Sequence, residues 1–276
     1  MERAQLIARL SEELGMPVIT VAASWHGDNA VDLAEEGARA FVSVLEAELE
    51  AARADSDSDA EHVGLFLLGR GGFPVFAEGV WRVLRGRGLK AHAIVPYRAD
   101  GAFTLIALTA ERCLLHPYAS LGAYDRCPIT AVSASPGQQQ KLARRLMERI
   151  VGGTDAGLGA RVARCLGAES LGSQLGLASD ELERLGIDSQ ITRGDRADLV
   201  WDLYRAYESE LDILEPPTPR YTPSDVADEV EFEPATGLCA AIIEGSAQSV
   251  HFELDTGSPD PETGVLEGRW MWEMLV

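Results

Sequence analysis

Lysine is almost missing from this chain. Two residues of 276, Lys90 and Lys141, are lysines, and all 24 basic side chains together face 44 acidic ones, for a formal net charge of −20. Phosphate contacts need clustered Lys and Arg, so this balance argues against a nucleic-acid partner. It argues equally against docking on anionic lipid. Long apolar runs are missing too. No stretch approaches bilayer length, and Met1-Glu2-Arg3-Ala4-Gln5 opens a polar helix rather than a signal peptide, so no membrane association is expected. Cysteine is sparse: Cys113, Cys127, Cys165 and Cys239 lack paired spacing. They read as reduced, mostly buried thiols of a cytoplasmic protein, not as a zinc site or disulfide frame. There is no phosphate loop, no dinucleotide fingerprint and no metal-ligand spacing, so neither cofactor nor metal is expected.

What is present suits a globular α/β protein. With 46% hydrophobic and 25% charged residues, the chain can build one large domain, or one domain and a small appendage. Apolar spacing predicts a helix over Arg3 to Leu14, stopped by Gly15, and a strand over Pro17 to Ala23. A long helix is expected from about Asp28 to Ala54, then a solvated acidic loop at 55–59. Val63 to Leu68 is apolar on both faces, as a strand buried in a parallel sheet must be. A helix over Val75 to Arg85 and a strand over Ala91 to Val95 complete a βαβ unit. Cys113 to Leu115 is a further short strand, and Gln138 to Val151 is an amphipathic helix carrying Lys141. Helices over Ala160–Leu166, Ser179–Leu185 and Asp195–Leu214 follow, with a short strand from Ile187 between the last two. Pro216-Pro217-Thr218-Pro219 is a breaker, and alternation in Leu238–Glu244, Ser249–Leu254 and Val265–Trp272 predicts a small β-rich tail.

The densest pattern runs from Leu65 to Asp125. An apolar strand leads to Gly71-Gly72, a second one ends in Pro96-Tyr97, and Arg98-Ala99-Asp100-Gly101 precedes Ala102-Phe103-Thr104-Leu105-Ile106-Ala107-Leu108, which opens a small-residue helix expected to run to Ala110. A third strand leads into His116-Pro117 and Ser120-Leu121-Gly122. This order and wording resemble the serine dehydrogenase proteinase family, relatives of the signal peptide peptidase SppA and of ClpP. The resemblance places a nucleophilic serine where this chain has Gly101, with no gap in the frame on either side. It assigns oxyanion-hole donors to Gly71, Gly72 and Ala102, and it puts Lys141 near the position of a family lysine that serves as general base. A Thr-His-Asp stretch typical of the family is replaced here by Gly172-Ser173-Gln174.

Glycine has no side chain with which to attack, so acyl-enzyme chemistry at Gly101 is impossible. Thr104, one helical turn on, is a candidate substitute whose alternative is a hydroxyl bonded to a preceding carbonyl. Asp100 is either a general acid or base, as in crotonase-like enzymes, or the N-cap of the following helix. His116 reads as structural or rim-lining, and Ser120 as part of the Leu-Gly turn. His26, near Trp25 and Asp28, is either a pocket-mouth residue or an exposed loop histidine.

The resemblance thus implies an α/β domain of the ClpP/crotonase type over residues 1–214, with a proline-rich linker and β-rich tail over 215–276. The expected function is that of a catalytically degenerate protease homologue that binds a peptide or protein partner, or acts as a scaffold, in a homo- or hetero-oligomer. The alternatives are an active hydrolase or crotonase-like enzyme working through the retained oxyanion hole, and an active serine protease inactivated by substitution at Gly101.

Overall fold

Alternate residues of the central strands feed two separate apolar cores, and this split is what layers helices on both faces of one sheet. The computed structural model describes residues 2–25, 31–55, 60–126, 135–152, 156–171, 176–213, 239–256 and 268–275. The first half runs α1 (Arg3–Leu14), β1 (Val18–Ala23), α2 (Glu35–Asp55), β2 (His62–Gly71), α3 (Pro74–Gly86), β3 (Lys90–Val95), β4 (Arg98–Gly101), α4 (Ala102–Ala107), β5 (Arg112–Leu115) and β6 (Ser120–Leu121). The second half runs α5 (Pro136–Val151), α6 (Ala156–Cys165), α7 (Ala168–Leu171), α8 (Ser179–Leu185), β7 (Ser189–Ile191), α9 (Asp195–Glu210), β8 (Cys239–Glu244), β9 (Ser249–Thr256) and β10 (Gly268–Leu275).

Strands β1, β2, β3, β5 and β7 form a parallel array in that order. Ile19 and Val21 of β1, Val63, Leu65 and Leu67 of β2, and Ala93 and Val95 of β3 face one core, where α2 to α5 contribute Phe41, Phe76, Phe103 and Met147. Val18 and Ala22, Phe66 and Leu68, and Ile94 face the other, where α1 and α9 bring Ile7, Leu10, Leu203 and Tyr207. The mixed α/β class expected from the sequence is therefore the observed one. Gly15 closes α1 in the left-handed region at φ 66°, the conformation that glycine adopts most cheaply. Among the described residues no helix is long and apolar enough to cross a membrane. Cys113 and Cys239 are buried, Cys165 is half-buried, and burial pushes the Cys113 and Cys239 thiols up to about 12. Cys127, His26, Asp28 and the 172–174 stretch lie outside the described residues.

Three expectations need correction. The long helix begins at Glu35, not near Asp28, because residues 31–34 run extended and hydrogen-bond to the backbone at Ser24 and Phe73. Helix α4 stops at Ala107, where the backbone tightens into turn hydrogen bonds from Thr109 to Ile106 and Ala110 to Ala107. The tail strands are not set apart from the main sheet. β8 pairs antiparallel with β1 (Thr20↔Glu244 to Ala23↔Ala241), and β9 and β10 extend the same sheet outward.

A buried polar knot fastens that edge. Glu244 is 4% exposed and accepts from the Tyr207 hydroxyl on α9 and, at 2.8 Å, from Arg3 Nε on α1. Tyr207 also meets the Thr20 hydroxyl on β1, and Thr20 Oγ1 donates to the Glu244 carbonyl at 3.0 Å. Burial, then the neighbouring carboxylate, holds the Tyr207 hydroxyl well above its ordinary range, so it stays a donor. Because hydrogen bonds to charged groups contribute about 1.5–3 kcal/mol, Tyr207→Phe is expected to lower unfolding stability by that order in a urea titration, with the m-value unchanged.

Candidate functional site

The turn from β4 into α4 is a sharp strand-to-helix reversal with a glycine at its apex. Gly101 ends the strand and caps the helix at φ 63°, ψ −122°, a region open to glycine and strained for other residues. Strand β4 exists because β2 runs on past its expected end at Leu68 to Gly71, so that Gly69, Arg70 and Gly71 pair with Ala99, Asp100 and Gly101. On its other side β4 pairs with β6 (Arg98↔Ser120, Ala99↔Leu121), and the Gly101 N–H donates to the Ala123 carbonyl at 2.8 Å.

The place where a side chain would leave Gly101 is already filled. A Cβ built there would sit 2.5 Å from the Gly71 carbonyl oxygen and 2.9 Å from its carbon. Both contacts are with backbone, which cannot swing aside as a flexible side chain can. Gly71 (φ 105°) and Gly72 (φ 83°) turn the chain back towards α3, and the Gly72 N–H donates to Asp32 Oδ1 at 2.8 Å. The next amide, that of Phe73, donates to the Leu33 carbonyl at 2.8 Å. Sequence reasoning brought Gly71, Gly72, Gly101 and Ala102 to one turn, and they do meet there: a Cβ on Gly72 would lie 3.0 Å from the Ala102 methyl. Asp32 was missed. It sits 40 residues before its partner glycine, and no local signal links an acidic residue in a presumed helix to a distant amide.

Asp100 is not a helix cap, and it does not face a cleft. Its side chain is 0% exposed, and Oδ2 meets Arg70 Nε at 3.0 Å, Arg98 Nε at 3.0 Å and Arg126 Nε at 3.3 Å. Its Oδ1 has no hydrogen-bond partner among the described residues and lies over Gly122, where any Cβ would overlap it. Desolvation by burial lowers the Arg126 guanidinium from its ordinary value against the pull of Asp100. Thr104 is also fully buried, and its hydroxyl hydrogen-bonds the Ala99 carbonyl at 2.7 Å and the Gly122 carbonyl at 3.1 Å. That hydroxyl ties two loops together and is not available to a substrate.

Lys141 is exposed on α5, whose buried residues are Ala143, Leu146, Met147, Ile150 and Val151. A lysine that serves as a general base works from a desolvated site, and this one lies on the surface. His116 and Ser120 belong to a different feature at the carboxyl ends of the strands. His116 stacks on Trp201 at 4.7 Å, Trp201 on Tyr204 at 4.6 Å, and Tyr97 and Tyr118 close the group from either side. Burial pushes the His116 imidazole below its ordinary value, and its Nδ1 accepts from the Tyr118 N–H at 3.3 Å. Tyr118 is 69% exposed, so the stack opens onto the surface as an aromatic ledge. Ser120 is half-buried in β6 beside this ledge, its N–H donating to the Tyr97 carbonyl at 2.9 Å.

No protein-family model matches the chain. No curated protein matches it either. Among solved structures, ClpP1 from Listeria monocytogenes is similar to it at a TM-score of 0.44 and 13% identity, over 68% of this chain and 95% of that one. A single-residue mutant of that protein gives 0.43 and 12%, over 69% and 99%. At this level the likeness is coarse, and the reading of the site rests on the turn at Gly101 and on Asp32.

Two substitutions probe this geometry. Gly101→Ala is expected to destabilise the fold by at least the roughly 1–3 kcal/mol of a residue forced into a sparsely populated backbone region, read as a lowered melting temperature. Asp100→Asn leaves three guanidinium groups around a neutral acceptor. Because those groups reach water, the expected loss is about 1.5–3 kcal/mol, below what a fully buried pair would forfeit.

Proposed function

We propose that this chain is a ClpP/SppA-type domain of the serine dehydrogenase proteinase kind that has lost proteolysis, and that it acts by binding a peptide or protein partner within an oligomer. One observation carries the reading: at the turn where relatives are expected to hold serine, the Gly71 carbonyl occupies the space a side chain would need. The rest of the machinery agrees. The Gly72 amide is engaged by Asp32, the candidate base Lys141 is solvated, and Asp100 is committed to three arginines. An acid–base role for Asp100 would need a proton path to a substrate, and a carboxylate with no exposed surface has none.

Partner binding is supported by the aromatic ledge of Tyr97, His116, Tyr118 and Trp201, which sits at the same end of the sheet as the empty turn. Aromatic residues dominate the energetics of protein interfaces. Self-association would use α5, where Leu142 is exposed, and the outer face of α9. The acidic surface keeps such an assembly soluble.

The test incubates the purified chain with casein and a fluorophosphonate probe, beside Gly101→Ser and a Gly101→Ser, Asp32→Ala double variant. Neither labelling nor cleavage is expected from the wild type. The single variant is expected to stay unlabelled, because Gly71 obstructs the new side chain and no neighbour takes its proton. Peptide cleavage by the unmodified chain would overturn the reading. Rapid labelling of Gly101→Ser would show an intact base and reduce the loss of function to one residue.

A further inference from the structure

We propose a divalent transition-metal site, suited to Zn²⁺, formed by His62, His92 and Glu111 at the amino ends of the parallel strands, opposite the Gly101 turn. His62 opens β2, His92 is the third residue of β3, and Glu111 immediately precedes β5. The sheet register sets them side by side. His62 pairs with Lys90 and Gly64 with His92, so the two histidines stand diagonally across adjacent strands on one face. Their ring centroids are 5.2 Å apart, edge to face. The Glu111 N–H donates to the Ala91 carbonyl at 2.8 Å, which anchors the carboxylate beside His92.

Each of the three residues offers a ligand atom within 4.8 Å of the others. A zinc ion at roughly 2.0–2.2 Å from each donor holds them about 3–4 Å apart, so a small torsional shift closes the set. Glu111 is free to make it. Its side chain is 52% exposed and its contact with Lys90, at 4.0 Å, is between two solvated groups. His62 Nδ1 is buried and has no hydrogen-bond partner among the described residues, an unsatisfied donor or acceptor that calls for a ligand. Arg112, the residue after Glu111, is turned to Asp188, with Nε 3.0 Å from Oδ2.

Two imidazoles and one carboxylate suit zinc and its first-row neighbours rather than Ca²⁺ or Mg²⁺, which prefer all-oxygen shells. Three protein ligands also leave one position for water, as in zinc sites that keep an open coordination place. The spacing hid this group, because its members are 30 and 19 residues apart in the chain and meet only through the sheet.

The chelator-stripped full chain is titrated with Zn²⁺ against a chromophoric competitor, alongside His62→Gln, His92→Gln and His251→Gln. The last variant controls for a second cluster of possible ligands, Cys239, His251 and Glu253. One Zn²⁺ per chain is expected, with affinity reduced roughly 10-fold or more by either of the first two substitutions and unchanged by the third. X-ray absorption on the zinc-loaded wild type supplies a readout independent of whether the variants fold. Imidazole and oxygen scattering without sulfur is expected. No zinc bound, a sulfur ligand, or a loss confined to His251→Gln would overturn the assignment.

Discussion

Two backbones touch where only glycines allow it. Gly71 ends β2 and Gly101 ends β4, paired at one register, and the space above Gly101 belongs to the Gly71 carbonyl. This contact lets β2 and β4 pair to their last residues, so the reversal into α4 begins at a fixed point. From it follow the position of Thr104 under the Ala99 and Gly122 carbonyls and the burial of Asp100 beside Gly122. A methyl group at Gly101 would press on the Gly71 backbone and force the two strand ends apart.

Electrostatics finishes what the contact begins. Beside this contact two carboxylates are drawn inward, each against a local concentration of positive potential. Asp32 takes the Gly72 amide, and Asp100 takes three guanidinium groups. The magnitudes show what this means for chemistry. An oxyanion-hole donor can contribute about 2.7–4 kcal/mol to a transition state when it is free to do so. Here the substrate oxygen would first have to displace a charge-assisted hydrogen bond of about 1.5–3 kcal/mol. Most of the catalytic advantage of the Gly72 amide is cancelled before any reaction starts.

Much of the scaffold was legible because it follows from short-range rules. The apolar run of β2, the amphipathic stripe of α3 and the stop at Gly15 are each decided within a dozen residues. The turn at 101 was legible for another reason: its frame from Pro96 to Leu108 matches a known wording without a gap. Long-range pairing was not legible. Arg98–Gly101 looks like a loop, and only the extension of β2 and the company of β6 make it a strand. Residues 31–34 carry the apolar spacing of a helix, but their backbone groups are drawn into contacts with Ser24 and Phe73. Asp100 read as a cap because two of its three charged partners, Arg70 and Arg126, lie 30 residues before it and 26 after it. The tail strands showed their alternation, yet nothing in it said that β1 had an open edge to receive them.

The two ends of the parallel strands gather different chemistry. At the carboxyl end most polar groups around Gly101 bond one another: amide to carboxylate, carboxylate to guanidinium, hydroxyl to carbonyl. Asp100 Oδ1 is an exception: it has no hydrogen-bond partner among the described residues and is sealed over Gly122, while Oδ2 faces the three arginines. The side chains that face outward there include the aromatic rings of Tyr97 and Tyr118. At the amino end His62 keeps a buried ring nitrogen unpaired beside a second imidazole and an exposed carboxylate. A buried polar atom left without a partner costs roughly 1–3 kcal/mol, and a bound ion is the simplest agent that would recover it.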